Sequence, residues 1–185
     1  KVDQLTEIIQ ILIKNPADRR AYISMWDPDV DLNKEGLDFP CNTGIAFRIN
    51  NDALHMTVFN RSNDAIWGAY GANAVHMSMM QEYIATTIGV AVGKYHQVAN
   101  NFHAYTEVLD KTGVPDPHPM DPYDTGEVIP QPMIQNNSTW HIDLMNFMAD
   151  PLQKEFYNNE FFYEVAQPIA EAATLFKQGE LVKAL

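Results

Sequence analysis

Leu5, Ile8, Ile9, Leu12 and Ile13 recur at the spacing of one face of an α-helix. The pattern predicts an amphipathic helix with Asp3 as its N-cap, stopped at Asn15-Pro16. Arg19-Arg20 and the short strand-like run AYISMW follow, broken at Asp27-Pro28, and the polar residues 29–40 read as a loop. From Thr43 the period changes to two. Ile45, Phe47 and Ile49 alternate, then Leu54, Met56 and Val58, with Asn50-Asn51-Asp52 between them, which predicts a β-hairpin. A helical period returns over Asn73–Val92, through Val75, Met79, Tyr83 and Ile88, with Gly89 and Gly93 marking its end. Met77, Met79 and Met80 read as core packing. A further strand-like run extends from Tyr95 to Tyr105. Pro115, Pro117, Pro119, Pro122, Pro130 and Pro132 make residues 113–132 an extended loop or excursion. The tail from Pro151 is helical in character, with a break at Pro168. There is no internal repeat. Helical and strand segments with two strands joined as a hairpin predict an α+β fold rather than a doubly wound parallel sheet.

Composition narrows the picture. A chain of 185 residues, 46% hydrophobic, buries one sizeable core, so a single domain is expected. Net charge is −12, with 12 Lys+Arg against 24 Asp+Glu. Binding to nucleic acid or to an anionic membrane surface requires a basic patch, so neither is expected. A few focused arginines can still hold one small phosphate. No apolar run approaches the roughly 20 residues that span a bilayer, no signal-peptide pattern opens the chain, and an intracellular, cytoplasmic setting is the simplest reading. The chain starts at Lys1 and stops inside a helix-like pattern, which reads as a fragment or trimmed chain. One cysteine excludes an internal disulfide framework and a cysteine-based zinc cluster. The six histidines (His55, His76, His96, His103, His118 and His141) lack metal-ligand spacing, so no metal site is expected.

Chemistry then rests on a few positions. Cys41, in LDFPCNTG, sits at a loop-to-strand junction. It is either a small buried hydrophobe or a nucleophile, which needs a nearby cation to favour its thiolate. Antiparallel pairing of the hairpin brings Arg61, at the end of the second strand, beside Cys41 at the start of the first. Arg61 belongs to FNRSNDAIWGAYGAN, residues 59–73, where it either caps a structure or holds something anionic. Arg19-Arg20 is either a surface pair bonded to neighbouring carboxylates or a clamp on phosphate; composition alone favours the first. His103 and Tyr105 share one strand face, either as a half-exposed sheet surface or as a polar pair for a ligand hydroxyl.

The segments NPADRRAYISMWDP, FPCNT, NRSNDAIWG and NNFHAY, in that order and at these separations, resemble the thymidylate synthase family, including the phage-type pyrimidine-nucleotide hydroxymethylases. The resemblance covers roughly residues 3–110. Residues 1–112 would form a thymidylate synthase-like catalytic core, a mixed β-sheet packed with helices; residues 113–185, a Pro-rich excursion and divergent helical region of the same domain, show no match. By this resemblance Cys41 is the nucleophile that adds to C6 of a pyrimidine. Arg61 binds the nucleotide phosphate and lowers the thiol pKa, and Ser62 contacts the same phosphate. Arg19 and Arg20 reach across a homodimer interface to the partner's phosphate. Asp64 orients the ring and the folate, His103 and Tyr105 bind the sugar 3′-hydroxyl, and Asn73 reads the N3–O4 edge of the base. The implied cofactor is 5,10-methylenetetrahydrofolate, and the implied reaction is one-carbon transfer to C5 through covalent catalysis.

The product depends on finer features. Arg61-Ser62-Asn63-Asp64 resembles the hydroxymethylase version of the motif, and Tyr70-Gly71-Ala72 replaces the Pro-Phe that thymidylate synthases carry before the base-reading asparagine. One extra residue separates Gly68 from Asn73 relative to the family. An asparagine offers both a donor and an acceptor to uracil, so dUMP is preferred over dCMP and 5-hydroxymethyl-dUMP is the expected product. A thymidylate synthase making dTMP and a dCMP hydroxymethylase are the alternatives. The family's N-terminal segment, with a catalytic glutamate, a folate-side tryptophan and another phosphate-loop arginine, has no counterpart in these residues, and Asn60 stands where glutamine is usual. If that segment is missing from the protein, no complete active site forms and a non-catalytic nucleotide-binding relative is the reading that survives. A structural α+β domain with chance matches is the bland alternative. Resemblance to phage-type enzymes extends the setting to the cytoplasm of a phage-infected host cell.

Overall fold

The computed structural model describes residues 2–36, 38–112, 120–135, 137–153 and 157–179. The chain divides into two compact units, residues 1–117 and 118–185.

In the first unit, α1 (Gln4–Lys14) begins where Asp3 accepts from the Thr6 N–H at 3.2 Å and the Thr6 hydroxyl at 2.8 Å, satisfying a donor that has no partner within the helix. It buries Ile8, Ile9 and Leu12 and leaves Ile13 exposed. Strand β1 (Tyr22–Ser24) is shorter than the AYISMW run suggests. Within the expected loop lies a short helix, α2 (Pro28–Asp31). Asp27 caps it by accepting from the Asp29 N–H, and Pro28 takes the first helical position, where a missing N–H does no harm. Asp-Pro starts an element here rather than only ending one.

The hairpin comprises β2 (Asn42–Asn50) and β3 (Ala53–Asn60). Asn51 and Asp52 turn it with φ of 51° and 55°, the two-residue turn whose twist matches the strands. Ile45, Leu54, Met56 and Val58 are wholly buried on its inner face. Each contributes about 1.5–3 kcal/mol, and a one-residue slip would expose them all, so burial sets the register. A bulge between Asn42 and Gly44 shifts the ladder at the Cys41 end.

Strand β4 (Asn63–Asp64) leads into π-helical turns over Ala65–Ala72, kinked at Gly71, and then into α3 (Asn73–Ile88). Gly89 ends α3 in the left-handed conformation, φ 85°. Gly93 lies instead inside β5 (Ala91–Ala99), which begins four residues earlier than the Tyr95–Tyr105 run implied. The run's other end forms β6 (Phe102–His103), followed by α4 (Thr106–Thr112). The main sheet has the order β1-β2-β3-β5, antiparallel except for the parallel β3–β5 pair, and β4 and β6 form a parallel two-stranded sheet. Helices α1 and α3 supply the rest of the core through Ile8, Leu12, Met77 and Ile84. Met80 packs partly against that core, whereas Met79 is exposed.

In the second unit, residues 120–135 contain no helix or strand. Two helices follow, α5 (Asn137–Ala149) and α6 (Gln167–Lys177), the latter preceded by π-helical turns over Phe162–Ala166. Pro168 does not break the tail. The widened turn, in which the Gln167 N–H reaches back to the Phe162 carbonyl, accommodates it in the first turn of α6. Trp140, Phe147, Tyr157, Phe161 and Phe162 pack ring against ring. Within this apolar cluster the buried Asp143 carboxylate accepts from the backbone and side-chain N–H groups of both Asn158 and Asn159.

Candidate active site

The hairpin's open end sets the first part of the site. The Arg61 N–H donates to the Cys41 carbonyl at 3.0 Å, so the two residues are held opposite each other by backbone pairing. The Arg61 side chain folds back over the segment before Cys41. Its Nε donates to the Pro40 carbonyl at 3.0 Å and its Nη2 to the Phe39 carbonyl at 3.3 Å, with the guanidinium 5.8 Å from the Phe39 ring centroid. Cys41 is exposed, as a nucleophile must be. Beneath it, Asn42 and Asn60 are buried, the Asn42 Nδ2 donating to the Asn60 Oδ1 at 2.5 Å, and the Asn60 Nδ2 has no hydrogen-bond partner among the described residues.

Ser62, half-buried, separates Arg61 from β4. Asp64 ends that strand and caps the π-helical turns, its Oδ1 accepting from the Ile66 and Trp67 N–H groups at 3.0 and 2.6 Å. Its Oδ2 accepts no hydrogen bond among the described residues. Asp64 pairs with His103 across the β4–β6 ladder, and the Tyr105 ring meets His103 edge-on at 5.3 Å. Among the described residues the buried His103 Nδ1 has no hydrogen-bond partner.

Asn73, at the start of α3, donates from Nδ2 to the Asn63 Oδ1 at 3.1 Å. Asn63 in turn donates to Gln97 Oε1 at 2.7 Å, and Gln97 Nε2 donates to the Ala69 carbonyl at 2.9 Å. Asn63 and Gln97 line a cleft of about 330 Å³ with Ala69, Tyr70, Ala99 and Phe102. These two amides escaped the reading of the sequence. The available signal was Gln97 itself, a polar residue at an inward position of a strand.

Cys41, Arg61, Ser62, Asp64, Asn73, His103 and Tyr105 thus lie on one run of connected elements. Arg19 and Arg20 stand apart, and among the described residues no hydrogen bond or ion pair joins them to Cys41 or Arg61. They line a surface hollow of about 250 Å³ with Asn15, Ala17 and Asp18. Asp18 grips Arg20 at both oxygens, 3.1 and 2.8 Å, and also accepts the Arg20 N–H at 2.8 Å. The side-chain bond from Arg20 is the main cause that lowers the Asp18 pKa to about 2. Among the described residues no group of histidine, cysteine and carboxylate side chains is arranged to hold a metal ion, and no helix is long and apolar enough to cross a membrane.

A sequence model of thymidylate synthase matches residues 1–119. The chain belongs to the thymidylate synthase family. Among its relatives is the deoxyuridylate hydroxymethyltransferase of Pseudomonas phage M6, 46% identical over 190 residues, an alignment covering 95% of this chain and 53% of that protein. The protein of the same name from Bacillus phage SP01 is 36% identical over 107 residues, covering 57% of this chain and 28% of that one. The solved structure of thermostable thymidylate synthase A from Bacillus subtilis matches with a TM-score of 0.53 and 31% identity over 60% of this chain and 39% of that chain. The α+β thymidylate synthase-like fold, with its mixed sheet, is therefore established. The chain spans about half the length of the Pseudomonas phage relative. The family model ends at residue 119, whereas the alignment with the phage relative, at 95% coverage, takes in most of residues 113–185 as well.

Proposed function

We propose that this chain carries the nucleotide-binding half of an enzyme transferring a folate-borne one-carbon unit to C5 of dUMP, with 5-hydroxymethyl-dUMP as product. The observation that carries the reading is the pairing of the exposed Cys41 with Arg61 across the hairpin mouth. A planar guanidinium on the segment just ahead of the thiol suits a nucleotide phosphate. The Cys41 sulfur bonds to C6, and the C5=C6 electron pair becomes an enolate over C5, C4 and O4. Once C5 has gained the one-carbon unit and lost its proton, and the carbon–nitrogen bond has broken with release of the folate amine, hydroxide from water adds to the exocyclic methylene left on C5. The enolate so formed expels the Cys41 thiolate and restores the ring.

Residues of this chain fit a folate at the same place. Exposed Trp67, Tyr70 and Phe102 offer flat apolar faces, and the free Oδ2 of Asp64 offers an acceptor. When bound, 5,10-methylenetetrahydrofolate supplies the one-carbon unit. His103, with the Tyr105 ring edge-on against it, would take the sugar hydroxyl. Arg19 and Arg20, exposed on their own loop, suit the phosphate of a neighbouring subunit in a homodimer. Support for that assembly comes from the outer sheet face, which leaves Tyr22 and Val98 exposed. The likeness to two phage deoxyuridylate hydroxymethyltransferases supports the hydroxymethyl product over the methyl one.

The test is tritium release from [5-³H]dUMP by the full-length protein with the folate. Release that disappears in Cys41→Ser while nucleotide binding persists is expected; binding without any release by the wild type would leave a non-catalytic relative. The mass of the product separates hydroxymethyl from methyl, and dCMP in place of dUMP separates the two substrates.

A further inference from the structure

A carboxamide is nearly symmetric in shape, so what it recognises depends on which end carries the oxygen. Asn73 has no intrinsic reason to present its oxygen rather than its nitrogen to a ligand. The structure supplies one. We propose that Asn63 and Gln97 form an amide relay that fixes the orientation of Asn73, and thereby makes the site select a uracil-type edge over a cytosine-type edge. The proposal rests on the reading of Asn73 as the residue that meets the base.

The relay has a polarity, and a backbone carbonyl sets it. The Ala69 carbonyl can only accept. Gln97 must therefore turn Nε2 toward it, at 2.9 Å, which points Oε1 at Asn63. Asn63 must answer with Nδ2, at 2.7 Å, which turns its own Oδ1 to Asn73. Asn73 must answer that oxygen with Nδ2, at 3.1 Å, and its own Oδ1 is left directed away from the relay. A flip of Gln97 or Asn63 sets oxygen against oxygen on one side and N–H against N–H on the other, and a flip of Asn73 sets its oxygen against the Asn63 Oδ1. Inside the protein neither mismatch is relieved by water, because Asn63 is 2% exposed.

The surroundings serve the same geometry. A Cβ on Gly68 would lie 2.3 Å from the Asn63 Oδ1 and 3.1 Å from the Asn73 Nδ2, so this glycine leaves the space in which the two amides meet. The Asn63 N–H is tied to the Asn101 carbonyl at 2.8 Å, which holds the backbone under the relay. So fixed, Asn73 offers an acceptor and one remaining N–H. Uracil presents a donor at N3 and an acceptor at O4, and both match. Cytosine presents an acceptor at N3 and a donor at N4, and both clash. Asn63 and Gln97 are positioning residues: they act through Asn73.

Calorimetric Kd values for dUMP and dCMP, measured on the full-length protein, test the relay independently of turnover. The wild type is expected to prefer dUMP. Gln97→Leu, which removes both ends of the link at a half-buried position, is expected to reduce that preference about tenfold, and Asn63→Ala to do the same. Because Asn63 is buried and its variant may not fold, the decision rests on Gln97. Gln97→Glu keeps an acceptor facing the Asn63 Nδ2 and is expected to retain most of the preference, which a role in packing alone would not predict. If Gln97→Leu weakens both nucleotides equally, the relay is overturned. A wild type that binds both nucleotides alike also overturns it, while leaving the one-carbon reading in place. Failure of the wild type to bind either nucleotide overturns that reading, and the relay with it.

Discussion

Arg61 and Cys41 are joined twice over: directly, by the Arg61 N–H to the Cys41 carbonyl, and indirectly, by the guanidinium that clasps the carbonyls of Pro40 and Phe39 just ahead of the thiol. One side chain therefore holds the segment that leads to Cys41 and keeps a guanidinium on that segment for an anion. A lysine cannot do both, because an ammonium lacks the fork that reaches two carbonyls while leaving donors to spare.

Arg61→Lys is accordingly expected to lower kcat/KM for dUMP by about tenfold to a hundredfold, the effect of losing charge-assisted bonds of about 1.5–3 kcal/mol. The rate of Cys41 alkylation by iodoacetamide should change as well, since the segment before the thiol loses its clasp. Steady-state kinetics and mass spectrometry of the labelled protein check the two parts. Unchanged kinetics would remove Arg61 from the site.

This relationship could be read from the sequence because antiparallel pairing depends only on where the turn lies, and Asn51-Asp52 marked it. The positions of Ile45, Phe47, Leu54, Met56 and Val58 followed from the period of two for the same reason. Helix α5 could not be read so. Trp140 and Phe147 turn inward while Ile142, Met145 and Met148 are exposed, so no single apolar stripe advertises it. The Asn73–Asn63–Gln97 relay was hidden differently. It joins a helix, a strand end and a second strand, and no spacing along the chain encodes their meeting. Family motifs located Cys41, Arg61, Asp64 and His103; which hydrogen bonds each makes needed the fold.

Asp143 gives the second unit a pH dependence. Burial pushes its pKa up, but the hydrogen bonds from Asn159 and Asn158 outweigh burial and hold it below the ordinary value. A carboxyl whose pKa is depressed on folding stabilises fully above its unfolded value, near 3.8, and that stabilisation is lost as pH falls below it. Asp143→Asn turns an acceptor into an N–H that faces other donors. It is expected to destabilise this unit by about 2–4 kcal/mol at pH 7 and to flatten the loss of stability as pH falls below about 3.8. Thermal unfolding of wild type and variant across that range measures both effects.

Gln81 is the corresponding buried polar group of the first unit. It is 1% exposed, and its Nε2 approaches the Leu54, Gly93 and Lys94 carbonyls at 2.7, 3.1 and 3.3 Å. These carbonyls lie where the β3–β5 ladder shifts register between Leu54 and Met56, so the glutamine covers acceptors left by the irregularity. Gln81→Leu fits the volume but removes the donor, and is expected to cost about 2–3 kcal/mol. Urea unfolding with an unchanged m-value is the check. A cost below about 0.5 kcal/mol would mean that water reaches these carbonyls without it.

Asp18, its own side chain largely covered, holds the exposed Arg20 guanidinium in a fixed plane through both of its oxygens. Surface pairs of this kind add little to stability, so Asp18→Ala is expected to leave the unfolding temperature nearly unchanged. Its effect should fall on binding. Freed from Asp18, Arg20 loses the orientation that suits it to a phosphate, and KM for dUMP is expected to rise about three- to tenfold with kcat little altered. The Asp18 pKa of about 2 keeps the pair intact down to strongly acid solution, so wild-type KM should show no step from this carboxyl between pH 5 and 8. Mixing Asp18→Ala protomers with Cys41→Ser protomers separates a role within one subunit from one across a dimer. If Arg20 serves the neighbouring subunit, each mixed dimer keeps one intact Cys41 that receives Arg20 from the Cys41→Ser partner. Its KM should then return to the wild-type value. A KM that stays high would place Arg20 in its own subunit's site.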